Sequence, residues 1–409
     1  MTIADPDALR PIHPFPARMA PSIAMTELKA NKGGRLKVLD PMVGSGTTIV
    51  LSKLMGHRAF GIDLDPLAVL QAQTWATTSL ASELQNVAAD VVDEARGMFP
   101  HVRLRDAYPP ESSAETKKFI RYWFDATARR QLRAFNRAIE DAPPQHRVFL
   151  LTVLSRMIIA KNRGVSLAMD LAHSRPHKVY TQAPVMPLDE FSRSAERIIR
   201  DCPFVQSKRL PKSKFPDASV VCGDARKINM RGCQFDLILT SPPYLNAIDY
   251  MRCSKFALVW MGHDIENLRA TRSLTIGSEV TLPANESAII TDTLRRIPAR
   301  QKLVGRVRRI LDRYVLDIGR VLSETSRLLV DGGHAVFVVG DSRIRGVFVS
   351  NSRIVELLAE SSGLELVDRN RRELQANRRY MPPPKADSGK QMQARMGYEV
   401  ILKFRRTAR

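Results

Sequence analysis

The sequence predicts an α/β protein with a mostly parallel sheet of seven strands, helices on both faces and a largely helical insertion. Strand and helix patterns alternate in two blocks of the chain, one near the N-terminus and one in the C-terminal half. The stretch between the blocks has helical spacing instead. Alternation of this kind is typical of a doubly wound sheet, because parallel neighbours need a crossover helix between them.

The first block holds two strands and two helices. LKVLDP is a short apolar run that ends in turn residues at Asp40 and Pro41, so we predict a strand there. The next segment, TTIVLSKLMG, is predicted to be a helix that begins after Gly46 and ends at Gly56. A second strand follows in RAFGIDLDP, and another helix is expected from about Leu67.

The segment 79–213 is basic and is predicted to be mostly helical. KKFIRYWFDATARRQLRAFNRAIE has apolar residues near helical spacing and is interpreted as one helix, and RVFLLTVLSRMIIAK as a second, more buried one. We therefore predict that residues 1–78 form the N-terminal part of the sheet domain, 79–213 the insertion, and 214–409 the C-terminal part.

The second block supplies the remaining strands. They are predicted in SVVCGDA, FDLIL, HAVFVVG, LELVDRN and GYEVILKFRR. MPPPK, at 381–385, is expected to be a loop.

Composition indicates a polyanionic partner. Lys and Arg number 63 against 42 Asp and Glu, a formal net charge of +21, and nucleic acid is the usual partner of such a chain. No apolar stretch approaches the length of a membrane span and no signal-peptide core precedes the first strand, so we expect a cytoplasmic protein without a membrane partner. The four cysteines contain no CxxC pair, so neither a zinc site nor disulfides are expected.

A glycine-rich turn, DPMVGSGTT at 40–48, stands directly between a strand and a helix. Gly44 and Gly46 permit a tight turn and close approach of a ligand to the backbone, and the following helix offers free N–H groups. A phosphate-binding P-loop needs Lys where Thr47 stands, and a dinucleotide turn needs a third glycine. S-adenosylmethionine (AdoMet) is the remaining candidate ligand of this turn. Its expected contacts are Asp40, Pro41, Ser45 and the other residues of the turn.

Two acids at strand ends fit the same cofactor. Asp63 ends the second strand and is expected to accept hydrogen bonds from the ribose hydroxyls. Asp224, in CGDA after the third strand, is predicted to meet the adenine.

The stretch TSPPY, at 240–244, follows the apolar run FDLIL. Proline lacks an N–H and fixes φ, so the sequence predicts a stiff corner at the end of a buried strand. Such a corner holds a polar side chain and an aromatic ring in fixed positions beside the sheet.

Together, DPMVGSGTT and TSPPY resemble the amino-methyltransferases of DNA, and SPPY is most similar to their cytosine-N4 branch. HPFPARMAPSIA, at 13–24, is similar to the segment that precedes the cofactor strand in this family, and RGVSLAMDLAHSRPHK is similar to a stretch in members with a helical insert. The resemblance covers about 13–405 and implies a Rossmann-like methyltransferase sheet. Met42 stands where the family usually has Phe.

The resemblance implies direct methyl transfer to an exocyclic amine of a base that has left the duplex. The Ser241 hydroxyl and the Pro242 carbonyl would accept the two amine hydrogens, and Pro243 would keep the corner rigid. Tyr244 would stack on the base. We expect cytosine N4 as the target, with adenine N6 as the alternative.

Other interpretations stay open. An RNA or protein amino-methyltransferase and a non-catalytic DNA-binding subunit are the runners-up. Carbon-5 methylation is excluded because no cysteine follows a proline. The family's arrangement suggests that the insertion recognises the DNA target, and a cognate restriction endonuclease is a partner it would allow. Candidate cationic DNA surfaces are 295–313, 369–379 and 163–178. A buried stripe is predicted along the first of them, so only part of it can face DNA; its residues are Val304, Val307, Leu311, Val315 and Ile318.

Overall fold

The computed structural model describes residues 9–14, 18–30, 34–173, 176–208, 215–245, 249–277, 290–374 and 397–407. The described residues form one seven-stranded sheet and three two-stranded ones. The thirteen strands are β1 Lys37–Asp40, β2 Arg58–Asp63, β3 Ser79–Leu80, β4 Ala168–Met169, β5 His177–Lys178, β6 Val205–Gln206, β7 Ala218–Cys222, β8 Phe235–Thr240, β9 Leu329–Val339, β10 Ser342–Ile344, β11 Val347–Val349, β12 Leu364–Glu373 and β13 Tyr398–Arg406.

The large sheet has the order β12-β13-β9-β8-β1-β2-β7. The pairs β9–β8, β8–β1, β1–β2 and β2–β7 are parallel. Only β13 runs against its neighbours, with antiparallel pairing to β12 and β9. The prediction of a seven-stranded, mostly parallel sheet is confirmed, and all seven strands that the sequence indicated take part in it.

Helices cover both faces of the sheet. Successive residues of β8 point to opposite sides, so Leu237 and Leu239 join one buried cluster and Ile238 joins another. The first cluster holds the helices of the N-terminal half, and the second holds the long helix that precedes β9. The helices are α1 Pro21–Ala30, α2 Thr47–Leu54, α3 Pro66–Ala76, α4 Ala81–Met98, α5 Ala114–Trp123, α6 Ala126–Asp141, α7 Pro144–Ile158, α8 Pro187–Asp201, α9 Met251–Leu258, α10 Ile265–Ser273, α11 Thr291–Arg295, α12 Pro298–Lys302, α13 Gly305–Leu328 and α14 Asn351–Ser361.

The helices between α4 and α8 share a core with the sheet. They contribute to the same buried cluster as Val38 of β1 and Leu237 of β8. Thr74 of α3 and Thr152 of α7 also hydrogen-bond through their hydroxyls at 2.6 Å. The helical segment is therefore packed onto one face of the sheet, which fixes its position relative to the strand ends.

Two local expectations are wrong. The segment interpreted as one helix contains α5 and α6, because Asp125 caps a new helix by accepting a hydrogen bond from the Ala128 N–H at 2.9 Å. In α13, the predicted buried stripe holds for Val307, Leu311, Val315 and Ile318, but Val304 precedes the helix and is 73% exposed. The expected loop at 381–385 lies outside the described residues.

No helix among the described residues is long and apolar enough to cross a membrane.

Candidate active site

The sheet contains a topological switch point between β1 and β8. From β1 the chain continues to β2 on one side, whereas from β8 it continues to β9 on the other. In open α/β sheets, ligands bind in the crevice outside the carboxyl ends of such strands. The two sequence motifs follow these two strands, and Thr240 donates its hydroxyl hydrogen to Asp40 Oδ1 at 2.8 Å. A hydrogen bond thus joins segments that lie 200 residues apart.

The glycine turn is tightly packed. Gly44 and Gly46 have φ values of 49° and 94°. A Cβ on Gly46 would lie 2.9 Å from the Ala72 Cβ and 3.0 Å from its Cα, so α2 and α3 approach more closely here than any side chain allows. Gly46 is the N-cap residue of α2 and has no side chain to cap the helix. The first backbone N–H groups of α2 are therefore left at the crevice for a ligand. Pro41, Ser45 and Thr47 are buried around this turn.

Three carboxyl groups surround the turn. Asp63 accepts hydrogen bonds from the Gly44 N–H at 2.8 Å and from the Asp65 N–H at 2.9 Å. Asp65 caps α3 and also accepts from the Ser254 hydroxyl at 2.6 Å. Burial raises the pKa of Asp40 to about 6 and that of Asp65 to about 6, and the nearby Asp63 adds to both. Burial also raises the pKa of Asp63.

The raised pKa of Asp40 gives a testable pH dependence. The folded carboxyl holds its proton to a higher pH than the unfolded one, so its ionisation destabilises the fold as pH rises from about 4 to about 6. Asp40→Asn keeps the oxygen that accepts from Thr240 and removes the ionisation. We expect the variant's advantage in free energy of unfolding to grow by about 2–3 kcal/mol between pH 4 and pH 7 and then to stay constant.

Denaturant titrations at each pH measure this. Asp93→Asn, in an exposed i,i+3 ion pair with Arg96, is the matched control and should show no growing advantage over this range. Parallel pH profiles for the wild type and Asp40→Asn would contradict the assignment.

The SPPY corner leaves β8 beside β9. The Ser241 hydroxyl donates to the Val338 carbonyl of β9 at 3.1 Å and lies 3.4 Å from the Tyr244 hydroxyl. Pro242 is buried, whereas Pro243 and Tyr244 are partly exposed. The Leu245 carbonyl, at the end of the corner, accepts from the Ser342 hydroxyl at 2.6 Å. Hydrogen bonds between serine hydroxyls and backbone carbonyls therefore hold the corner against β9 and β10.

Glu399 is a contact of this corner that the sequence did not reveal. The Tyr244 hydroxyl donates to Glu399 Oε1 at 3.4 Å, and Arg372 donates to Glu399 Oε2 at 3.0 Å. Burial raises the pKa of Glu399, which Arg372 opposes. Because β13 is antiparallel, its first residues reach the edge of the sheet where the parallel strands end. The only signal in the sequence was an acid near the start of the last predicted strand.

Asp224 lies at the expected edge but is already engaged. It follows β7, whose Cys222 is paired with Asp63 of β2. Its carboxylate accepts from Arg226, with the closest contact at 2.7 Å, and Arg226 also donates to the fully buried Asp317 at 2.8 Å. Burial favours the neutral acid, but the hydrogen bonds and the charge of Arg226 outweigh it and lower the pKa of Asp224. Contact with an adenine stays a prediction.

The segment HPFPARMAPSIA is only partly described. His13 is buried and hydrogen-bonds the Ser155 hydroxyl of α7 at 3.0 Å, and burial lowers its pKa to about 3. Met19 reaches the Thr48 hydroxyl of α2, with its sulfur 4.0 Å away. The segment thus packs behind the glycine turn. Within the described ranges no group of three or more His, Cys, Asp or Glu residues is arranged to hold a metal ion.

The chain has distant similarity to known methyltransferases. It is 20% identical over 370 residues to the Type II methyltransferase M.MvaI of Kocuria varians, covering 85% of this chain and 80% of that protein. It is 21% identical over 267 residues to the Type II methyltransferase M.BsoBI of Geobacillus stearothermophilus, covering 59% of this chain and only half (50%) of that relative. These homologues are Type II methyltransferases.

No protein-family model matches the chain. Among solved structures, a SAM-dependent methyltransferase of Methanosarcina mazei covers 94% of this chain and 98% of its own, with 7% identity and a TM-score of 0.34. A TM-score this low supports no structural argument, and the sheet order above describes the fold directly.

Proposed function

We propose that this chain is an AdoMet-dependent DNA methyltransferase that methylates the N4 amine of cytosine. The observation that carries the proposal is the Thr240–Asp40 hydrogen bond, because it brings the glycine turn and the SPPY corner to one crevice at the switch point. The Type II methyltransferase homologues support the same class of reaction.

The cofactor is AdoMet, and the residues of the turn suit it. Gly46 is the N-cap of α2 and brings no side-chain cap, so the first N–H groups of this helix are available to a ligand. We assign Asp63, the last residue of β2, to the ribose hydroxyls. The carboxyls of Asp40, Asp63 and Asp65 favour a ligand with positive charge, and AdoMet carries a sulfonium. When bound, it supplies the activated methyl group.

The corner residues act on the amine. In cytosine the N4 lone pair is delocalised into the ring, so the nitrogen is a weak nucleophile. The Ser241 hydrogen is donated to the Val338 carbonyl, which leaves the Ser241 oxygen free to accept an amine hydrogen. The Pro242 carbonyl accepts the other, and both acceptors favour a tetrahedral nitrogen whose lone pair faces the methyl group. Tyr244 stacks on the extruded base.

We assign recognition of the DNA target to the segment 79–213, whose helices α4 to α8 share a buried core with β1 and β8. The chain acts in the cytoplasm and can serve a restriction–modification pair with an endonuclease for the same site. One assay tests the proposed function together with the RNA and non-catalytic alternatives. It measures transfer of a labelled methyl group from AdoMet to duplex DNA and compares it with transfer to duplex RNA and to single-stranded RNA.

Asp63→Ala should weaken AdoMet binding by about 1.5–3 kcal/mol, because a charged acceptor loses its hydrogen bonds to the ribose. Calorimetric titration measures this. The control is Asp236→Ala. Asp236, like Asp63, accepts a backbone N–H, here from Lys37 at 2.7 Å, but Lys37 lies at the end of β1 opposite the glycine turn. Equal affinities for the wild type and Asp63→Ala would refute the ribose assignment.

A further inference from the structure

A basic surface with an exposed aromatic ring runs across α5, α9 and α10, outside the crevice. We call it the basic strip and define it as Arg252, Lys255, Arg269, Arg272, Lys178 and Tyr122. These residues come from three helices and from β5, and of them only Lys178 lies in a cationic segment that the sequence indicated, 163–178. None of the three cationic segments expected from the sequence contains the four arginine and lysine residues of α9 and α10.

The contacts place its members side by side. Lys255 lies over the Phe119 ring, 5.2 Å from the ring centroid, and Lys178 lies over the Tyr122 ring at 4.6 Å. Phe119 and Tyr122 both contact Trp123, with ring centroids 6.3 and 4.9 Å apart. A row of aromatic side chains therefore connects the two lysines, and Tyr122 is 54% exposed.

The cationic end of the strip is crowded with positive charge. Partial burial lowers the pKa of Lys255, and Arg272, Arg252 and Arg269 lower it further, against the opposing effect of Asp249. The carboxylates on these arginines are Asp249, which pairs with Arg272 at 2.8 Å and Arg252 at 3.7 Å, and Glu115, which pairs with Arg269. Glu266 is exposed on α10 as well. Asp264, the N-cap of α10, accepts hydrogen bonds from Ser113 and Thr116 at the start of α5 and is a fourth carboxylate on this surface. The five cations of the strip therefore still exceed the carboxylates by one, a surplus that a polyanion would balance.

The strip starts beside the catalytic corner. Asp249 and Tyr250 lead into α9 a few residues after Tyr244, and Tyr250 is near enough to add to the raised pKa of Tyr244. Asp249 holds Arg252 and Arg272 at this point. Phosphates of a duplex that delivers a base to Tyr244 would pass over these side chains.

We propose that the basic strip binds the phosphodiester backbone of duplex DNA next to the extruded base. The inference rests on the proposed function and extends it to the surface that holds the substrate. Phosphate contacts of this kind set affinity and position without reading sequence, and an exposed ring among them gives a surface for a sugar or an unstacked base.

The test is the salt dependence of binding to a fluorescent DNA duplex, measured by anisotropy with AdoMet present. Each phosphate contact contributes about 0.9 to the slope of log affinity against log salt, so Arg252→Gln with Arg269→Gln should reduce the slope by roughly 2. The control is Arg96→Gln, whose arginine is 63% exposed and ion-paired on α4, as Arg269 is 62% exposed and ion-paired on α10. Its slope should equal that of the wild type, and AdoMet affinity should be unchanged in all variants.

If the wild type binds DNA and the double variant has the same slope, the proposal that the basic strip binds the DNA backbone is wrong, whereas the proposed function still stands. A wild type that shows no salt-dependent DNA binding would overturn both. A loss that is larger for single-stranded RNA than for the duplex would assign the strip to RNA and overturn the proposal for DNA.

Discussion

Gly46→Ala is expected to abolish most AdoMet binding and to destabilise the fold by about 2–5 kcal/mol, the sum of left-handed backbone strain and overpacking. The reason is local. Gly46 has a φ of 94°, and its new Cβ would lie 2.9 Å from the Ala72 Cβ and 3.0 Å from the Ala72 Cα. Ala72 is buried in α3, so the helix or the turn must move. Either movement displaces the N–H groups that we assign to the cofactor.

Gly56→Ala separates the two causes. Gly56 also has a left-handed φ, 87°, but a Cβ there would meet nothing within 4 Å. Strain alone should cost about 1–2 kcal/mol, and AdoMet affinity should match the wild type. Denaturant unfolding measures the loss of stability in both variants, and calorimetric titration measures their affinity for AdoMet. Equal losses of stability, or intact AdoMet binding in Gly46→Ala, would contradict the close-packed turn as the cofactor site.

Ser241→Ala is expected to lower the single-turnover rate of methyl transfer by about 10²–10³, the usual effect of losing a preorganised hydrogen bond to the reacting group. AdoMet affinity should not change, because Ser241 follows β8 and not the glycine turn. Tyr244→Ala should lose roughly 1–3 kcal/mol of stacking on the extruded base and also leave AdoMet binding nearly intact.

Ser342→Ala is the matched control for Ser241→Ala. Its hydroxyl donates to the Leu245 carbonyl at 2.6 Å, so it supports the same corner without acting as an acceptor for the amine. We expect a loss of rate well below that of Ser241→Ala. Similar losses in the two variants would show that Ser241 holds the corner rather than the base.

The strands, and the positions of the glycine turn and the SPPY corner at the ends of β1 and β8, were predictable because they depend on local chemistry. Apolar runs followed by turn residues indicated the seven strands, and parallel strands must end at one edge. The glycines of the turn and the two prolines of the corner are short-range signals. Once both motifs were placed after parallel strands, their proximity followed from topology.

The remaining contacts depend on long-range packing that no local pattern records. Glu399 reaches Tyr244 because β13 enters the sheet antiparallel, and the pairing of Arg372 with Glu399 follows from the register of β12 with β13. Asp224 was expected to be available to a ligand, but Arg226 occupies its carboxylate. The split between α5 and α6 was missed because the N-cap preference of Asp125 outweighed a continuous helical pattern.

The most direct measurement of the central claim is mass spectrometry of nucleosides from DNA incubated with the protein and isotopically labelled AdoMet. We expect labelled N4-methylcytosine from the wild type and almost none from Ser241→Ala. Labelled N6-methyladenine alone would contradict the choice of base while keeping the amine chemistry of the corner. No labelled nucleoside in DNA that the protein binds, with AdoMet also bound, would contradict the proposed function itself.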